Sequence, residues 1–90
     1  MTDTQPNTTI RYFAWVRTRL NRAEDDVTIP AAGMRLQDLA IMLQEQSTSH
    51  AVIFGRPEAL KAAINKQYAD LSALVMPGDE VAFFPPVTGG

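Results

Sequence analysis

The chain has 90 residues, 46% of them hydrophobic and 20% charged, with ten acidic side chains against eight basic ones and no cysteine. This length bounds it to one domain with a modest core, and the missing thiols exclude disulfides, thiolate nucleophiles and cysteine-based metal sites. A net charge of −2 argues against nucleic acid as a partner, because such binders draw affinity from a basic excess that neutralises phosphates.

Met1 to Thr8 is a polar stretch without the basic start and apolar run of a signal peptide. Nothing in the chain approaches the apolar length needed to span a bilayer, so a cytoplasmic protein without a membrane partner is expected. Thr9 to Arg17, TIRYFAWVR, is rich in aromatic and β-branched residues and reads as a strand. Alternation places Ile10, Tyr12, Ala14 and Val16 on its core face and Arg11, Phe13, Trp15 and Arg17 on the other. Residues 18–26 read as a charged connection, and the nearby Arg17, Arg19 and Arg22 are compensated by Glu24, Asp25 and Asp26. Val27 to Pro30 reads as a second strand in a hairpin with the first, stopped by Pro30.

Leu36, Leu39, Ala40 and Leu43 recur at i, i+3, i+4 and i+7, which predicts an amphipathic helix over residues 36–46. Arg35 stands where a capping Ser, Thr or Asp is usual, and Ser47, Thr48 and Ser49 close the helix. His50 is expected to be exposed or loosely packed beside that end. The segment RPEALKAAINKQYADL (Arg56 to Leu71) has two readings. Composition favours a helix; alternation of Leu60, Ala62 and Ile64 allows a strand, with Asn65-Lys66 as a tight turn into Gln67–Ala69. Pro77-Gly78 is a turn, and EVAFF (Glu80 to Phe84) is a strand bounded by Pro85 and Pro86. The order β-β-α-(β or α)-β gives a small α+β domain.

His50 is the only histidine, so no two-histidine metal site or Ser-His relay is expected. Glycine-rich phosphate loops are absent as well, and the chain alone is a poor enzyme candidate. The ending FFPPVTGG is different. Pro85 and Pro86 hold an arm of residues 85–90 extended over roughly 18–20 Å and lower the cost of ordering it. Gly89 and Gly90 make its tip narrow enough for a tunnel in which any Cβ would collide. Such an arm suits delivery of the Gly90 carboxylate to a partner's buried site, once activation by ATP has made an acyl-adenylate.

The stretch GDEVAFFPPVTGG (Gly78 to Gly90) resembles the C-terminus of the small, sulfur-carrier subunit of molybdopterin synthase, and YFAWVR and AAIN sit where that family has comparable segments. The resemblance implies a ubiquitin-like β-grasp fold, in which a mixed sheet carries one main helix packed on one face. It resolves residues 60–65 in favour of a strand. It divides the chain into an N-terminal extension (residues 1–8), a β-grasp domain (9–84) and the C-terminal arm (85–90). It further implies that the Gly90 carboxylate is adenylated by a ubiquitin-activating-type adenylyltransferase and converted to a thiocarboxylate. The arm of Pro85, Pro86, Val87, Thr88, Gly89 and Gly90 would then insert into the large subunit and give sulfur to cyclic pyranopterin monophosphate. The expected assembly is a heterotetramer, with the remaining catalytic groups on the large subunit. No cofactor or metal is expected on this chain; ATP and a sulfur donor serve the activating enzyme. Phe84, Phe13 and Tyr68 are expected to form an exposed apolar patch at the root of the arm that contacts the partner. The competing readings are the sulfur carrier of thiamine biosynthesis, a ubiquitin-like protein modifier and a plain binding module.

Overall fold

A computed structural model describes residues 7–56 and 59–86. In chain order the elements are β1 (Thr8–Tyr12), α1 (Ala14–Leu20), β2 (Glu24–Val27), β3 (Met34–Arg35), α2 (Leu36–Gln44), α3 (Thr48–Phe54), β4 (Lys61–Ile64), β5 (Gln67–Ala69), β6 (Leu74–Val75) and β7 (Glu80–Phe84). Five strands form one sheet in the order β2-β1-β7-β4-β5, and β3 pairs with β6 in a second small sheet. The large sheet is mixed: β7 runs parallel to β1, with Tyr12 beside Phe83, and antiparallel to β4, with Lys61 beside Phe84. Its inner face supplies Ile10, Tyr12, Val81 and Phe83 to a core closed by Leu36, Leu39, Ala40 and Leu43 of α2, with Phe54 of α3. This is the ubiquitin-like β-grasp, an α+β fold, with α2 as its longest helix and the shorter α1 and α3 beside it among the described residues.

The expected long first strand breaks at Phe13. Tyr12 donates its N–H to the Ala23 carbonyl at 2.9 Å and Phe13 still donates to the Phe83 carbonyl at 3.2 Å, but β2 begins opposite Arg11 and offers no strand partner on that edge beyond it. Ala14 turns the chain with a φ of 54°, and Val16 and Leu20, four residues apart, are buried on α1. Val16 is therefore a core residue as alternation suggested, but Ala14 is exposed. Strand propensity reads aromatic and β-branched residues without knowing how long the pairing partner is. The second strand is displaced too: β2 is the acidic stretch Glu24–Val27, antiparallel to β1 with Ile10 opposite Asp25. Thr28 to Pro30 lies outside it, and α1 occupies the connection between the two strands.

The helix expected at 36–46 is α2, and its cap is supplied from elsewhere. The Leu36 and Gln37 N–H groups donate to the carbonyls of Ala73 and Leu71 at 2.8 and 2.9 Å, and Arg35 donates a guanidinium N–H to Ser72 O at 2.6 Å. Two of the first-turn donors are thus satisfied by a loop more than thirty residues away, which takes the place of a capping side chain. Ser47, expected to close α2, instead opens α3: its Oγ accepts the His50 N–H at 3.1 Å, an ordinary serine cap.

The ambiguous segment is a strand. β4 pairs with β5 through Asn65 and Lys66, whose φ angles of 51° and 71° are those a two-residue hairpin turn demands. Asn65 also holds β7: its side-chain oxygen accepts the Glu80 N–H and its amide donates to Asp79, both at 3.0 Å. Pairing on both edges of β4 outweighs the helix propensity of its alanines. The expected Pro77-Gly78 turn is present, with Gly78 at φ 89°, as a type II turn requires. No helix among the described residues is long and apolar enough to cross a membrane.

Candidate functional site: the root of the arm

β7 lies in the middle of the sheet, hydrogen-bonded on both edges, and leads directly into Pro85 and Pro86. Pro85 is half-buried and Pro86 exposed; Val87, Thr88, Gly89 and Gly90 lie outside the described residues. The strand alternates, with Val81 and Phe83 buried and Ala82 and Phe84 facing the outer side. Ala82 stands opposite both Arg11 and Ala63, and Ala63 stands opposite Tyr68. Two small residues therefore leave a low floor on the outer face, with aromatic rings around it.

Two of the three expected interface residues meet there. The rings of Tyr68 and Phe84 have centroids 5.8 Å apart, within the range of favourable aromatic pairs, and Tyr68 is 80% exposed. Phe13, 46% exposed, borders a separate depression with Arg11, Lys66, Glu80 and Ala82. Lys61 is beside Phe84 in the pairing, and a groove of about 560 Å³ runs past Tyr68, Phe84, Leu60 and Leu71. Arg11 bridges Glu80 at 2.5 Å and Glu24 at 3.9 Å, which pairs its charge toward the start of β7, while Lys61 stays as a cation beside Phe84. What remains is an apolar, aromatic surface at the base of the arm, suited to burial against a partner.

A second cluster escaped the sequence reading. His50 is 3% exposed, not loosely packed. Its Nε2 lies 3.0 Å from Asp25 Oδ2, its Nδ1 lies 2.8 Å from Ser47 Oγ, and Tyr12 donates its hydroxyl to Asp25 Oδ2 at 2.8 Å. Arg22 binds the other carboxylate oxygen. Burial pushes the Asp25 carboxyl up, but the hydrogen bonds from His50, Tyr12 and Arg22 together hold it below its usual range. Burial first, then the Asp25 hydrogen bond and charge, raises the Tyr12 hydroxyl well above its ordinary value.

Ser47, His50 and Asp25 are the residue types of a hydrolytic relay, but here the histidine is enclosed in the packed interior, only 3% exposed. Both ring nitrogens already face fixed partners, Ser47 Oγ is engaged as a helix cap, and the ring is enclosed by Tyr12 and Phe54 at 6.2 Å. The cluster fastens α3 to β1 and β2. The only sequence signal for it is the Ser47-x-x-His50 spacing, since the other partners are remote in the chain. Among the described residues no group of His, Asp and Glu is arranged to hold a metal ion.

Comparison with known proteins adds identity to this geometry. The molybdopterin synthase sulfur carrier subunit of Haemophilus influenzae is 58% identical over 31 residues, which are 34% of this chain and 38% of that relative's length. Small archaeal modifier protein 1 of Haloferax volcanii superposes with a TM-score of 0.72 at 20% identity, over 91% of this chain and 99% of its own. A chain of the complex of subunits 1 and 2 of the molybdopterin-converting factor from Helicobacter pylori matches with a TM-score of 0.64 at 22% identity, over 93% of this chain and 99% of the matched chain. At these identities the structural likenesses establish the fold. The model of the ThiS family matches residues 10–90, from the first strand through the arm, and the chain belongs to the ThiS family.

Proposed function

We propose that this chain is the sulfur-carrier subunit of a molybdopterin synthase. The observation that carries the reading is the course of β7, a central strand anchored on both edges that passes straight into the Pro-Pro-Val-Thr-Gly-Gly arm. A rigid strand aims the arm, and the aromatic outer face beside it offers a docking surface. The carrier relative in H. influenzae and the two-subunit complex in H. pylori support the same assignment.

In this reading the Gly90 carboxylate attacks the α-phosphorus of ATP on a ubiquitin-activating-type adenylyltransferase. Pyrophosphate leaves and an acyl-adenylate forms. Sulfide from a donor then attacks the acyl carbon, the C–O bond to AMP breaks, and a thiocarboxylate remains. The arm, from Pro85 to Gly90, carries that sulfur into the large subunit's active site for transfer to cyclic pyranopterin monophosphate. Phe84, Tyr68 and Phe13 hold the partner, two small subunits flank a large-subunit dimer, and catalytic groups other than the thiocarboxylate are the partner's. The chain itself needs no bound cofactor, works in the cytoplasm, and is a sulfur-donating subunit rather than a free-standing enzyme.

The test is the intact mass of the full chain after incubation with ATP, sulfide and its activating enzyme. A gain equal to replacing one oxygen by sulfur, mapped to Gly90, is expected. An unchanged mass, with an activating enzyme proven on another carrier, rejects the reading. The likeness to a small archaeal modifier protein favours a second use of the same adenylate, attack by a lysine amine to form an isopeptide. Conjugates of this chain on cellular proteins would reveal it.

A further inference from the structure

The three arginines that appear in the sequence as one compensated cluster separate in the fold. Arg22 pairs with Asp25, whereas among the described residues neither Arg17 nor Arg19 enters an ion pair. Neither α1 nor α3 contains an acidic residue, so these charges are unopposed on their own helices in a chain whose net charge is −2. The two arginines also take different sides of α1. Arg17 lies beside Asn21 and Arg22. The Arg19 guanidinium sits 5.4 Å from the centroid of the Trp15 ring and shares a shallow depression with Ser49 and Val52 of α3.

Trp15 is 40% exposed and Val52 67% exposed. An indole with a guanidinium stacked on it, bordered by an aliphatic side chain, is the composition of an interface centre rather than of a solvated helix face. Its position follows from topology. α1 connects the C-terminal end of β1 to the start of β2, and β1 is parallel to β7. The helix therefore stands at the end of the sheet from which Pro85 and Pro86 leave. Phe13, immediately before α1, donates its N–H to the Phe83 carbonyl at 3.2 Å.

We propose that Trp15, Arg19 and Val52 form a second docking surface, which receives an acidic segment of the large subunit into which the arm is delivered. The inference rests on the reading of the arm as a delivery device. Stacking on Trp15 holds the guanidinium in place, so pairing it with a carboxylate loses less side-chain freedom than usual. The remaining guanidinium edges are free to bind that carboxylate in bidentate fashion. Arg17, on the other side, adds long-range attraction but no contact. A nucleic acid fits the surface less well, because one guanidinium neutralises far fewer phosphates than the roughly 6–10 of a typical binder.

The experiment is titration calorimetry of the full chain against the large subunit and the activating enzyme of the same organism, at low and high salt. Arg19→Glu is expected to weaken binding to the large subunit on the order of tenfold, less at high salt. Trp15→Ala should weaken the same partner with little salt dependence, and Arg17→Glu should change it far less than Arg19→Glu. Circular dichroism checks that each variant is folded, and Val52→Asp, at a still more exposed position, provides a second disruption should Trp15→Ala unfold. Affinities of Arg19→Glu and Val52→Asp for the large subunit within about twofold of the parent overturn the proposal, as does an effect confined to the activating enzyme or an equal or larger effect of Arg17→Glu. A single-stranded oligonucleotide whose binding is lost in Arg19→Glu while both protein affinities stand would also overturn it. The carrier reading survives any of these results if the parent chain still becomes a thiocarboxylate at Gly90; a parent that is never converted removes both.

Discussion

His50 Nε2 lies 3.0 Å from the Asp25 carboxylate, across 25 residues of sequence, and the pair links α3 to the edge strand β2. Each partner is satisfied elsewhere as well, His50 by Ser47 and Asp25 by Tyr12 and Arg22. Removing one member leaves buried polar groups without partners. His50→Ala is expected to cost about 2–3 kcal/mol and to lower the Tm by roughly 8–20 °C for a domain of this size. Calorimetry of the variant checks this, and a shift under about 2 °C would mean the cluster fastens nothing.

The same carboxylate sets an acid limb. Asp25 titrates below its ordinary value in the folded chain, so the stability it contributes is complete above the unfolded value, about pH 3.9. That stability is lost as the pH falls further, through the folded value. Tyr12 acts in the opposite sense. Its folded value is raised, so its contribution is intact below about pH 10 and declines as the pH rises beyond that. Denaturant midpoints measured from pH 2 to 6 should flatten in Asp25→Asn, and an acid limb identical to the parent's would locate the effect in other carboxylates.

At the β4–β5 hairpin, Lys66 occupies a φ of 71° that costs a side-chain-bearing residue roughly 1 kcal/mol. Lys66→Gly is therefore expected to stabilise the fold by up to about 1 kcal/mol. Asn65→Ala should do the reverse by about 1–2 kcal/mol, because it also removes the hydrogen bonds to Asp79 and Glu80. Urea midpoints of the two variants, moving in opposite directions, test this assignment of the turn.

On the outer face, Tyr68→Ala should change stability by no more than about 0.5 kcal/mol, since the ring is mostly in solvent. If the patch is a partner surface, Phe84→Asp combined with Tyr68→Ala should abolish co-purification with the large subunit while the isolated chain still unfolds cooperatively. Undiminished co-purification would move the interface elsewhere.

The core is drawn from Ile10 to Phe83, so deletion of Gly89 and Gly90 should leave the Tm within about 1–2 °C of the parent and eliminate sulfur transfer. A large drop in Tm would contradict an arm independent of the domain.

The contrast between elements shows where sequence was sufficient. α2 was legible because its apolar spacing is local and helical, and β7 because alternation, a preceding Pro-Gly turn and two following prolines bound it on both sides. The outward direction of Phe84 follows from that alternation, whereas Tyr68 is set on the same face by its place on β5 opposite Ala63. The ending at Gly-Gly is likewise a property of the chain itself. The first strand was not legible in full, because its pairing on one edge is limited by where β2 begins, opposite Arg11, and the residues that form α1 have strand-like composition. For the same reason, the face made by Trp15 and Arg19 exists only once α1 is a helix that brings them together. β4 became a strand against its local propensity because two neighbours pair with it. The cap of α2 comes from carbonyls at 71 and 73, and His50 is buried because Asp25 and Tyr12 converge on it. The sequence by itself determined the amphipathic helix, the turn chemistry and the character of the arm, all carried by neighbouring residues. Strand length, helix capping and the buried polar cluster were decided by tertiary structure, because each depends on groups that only folding brings within hydrogen-bonding distance.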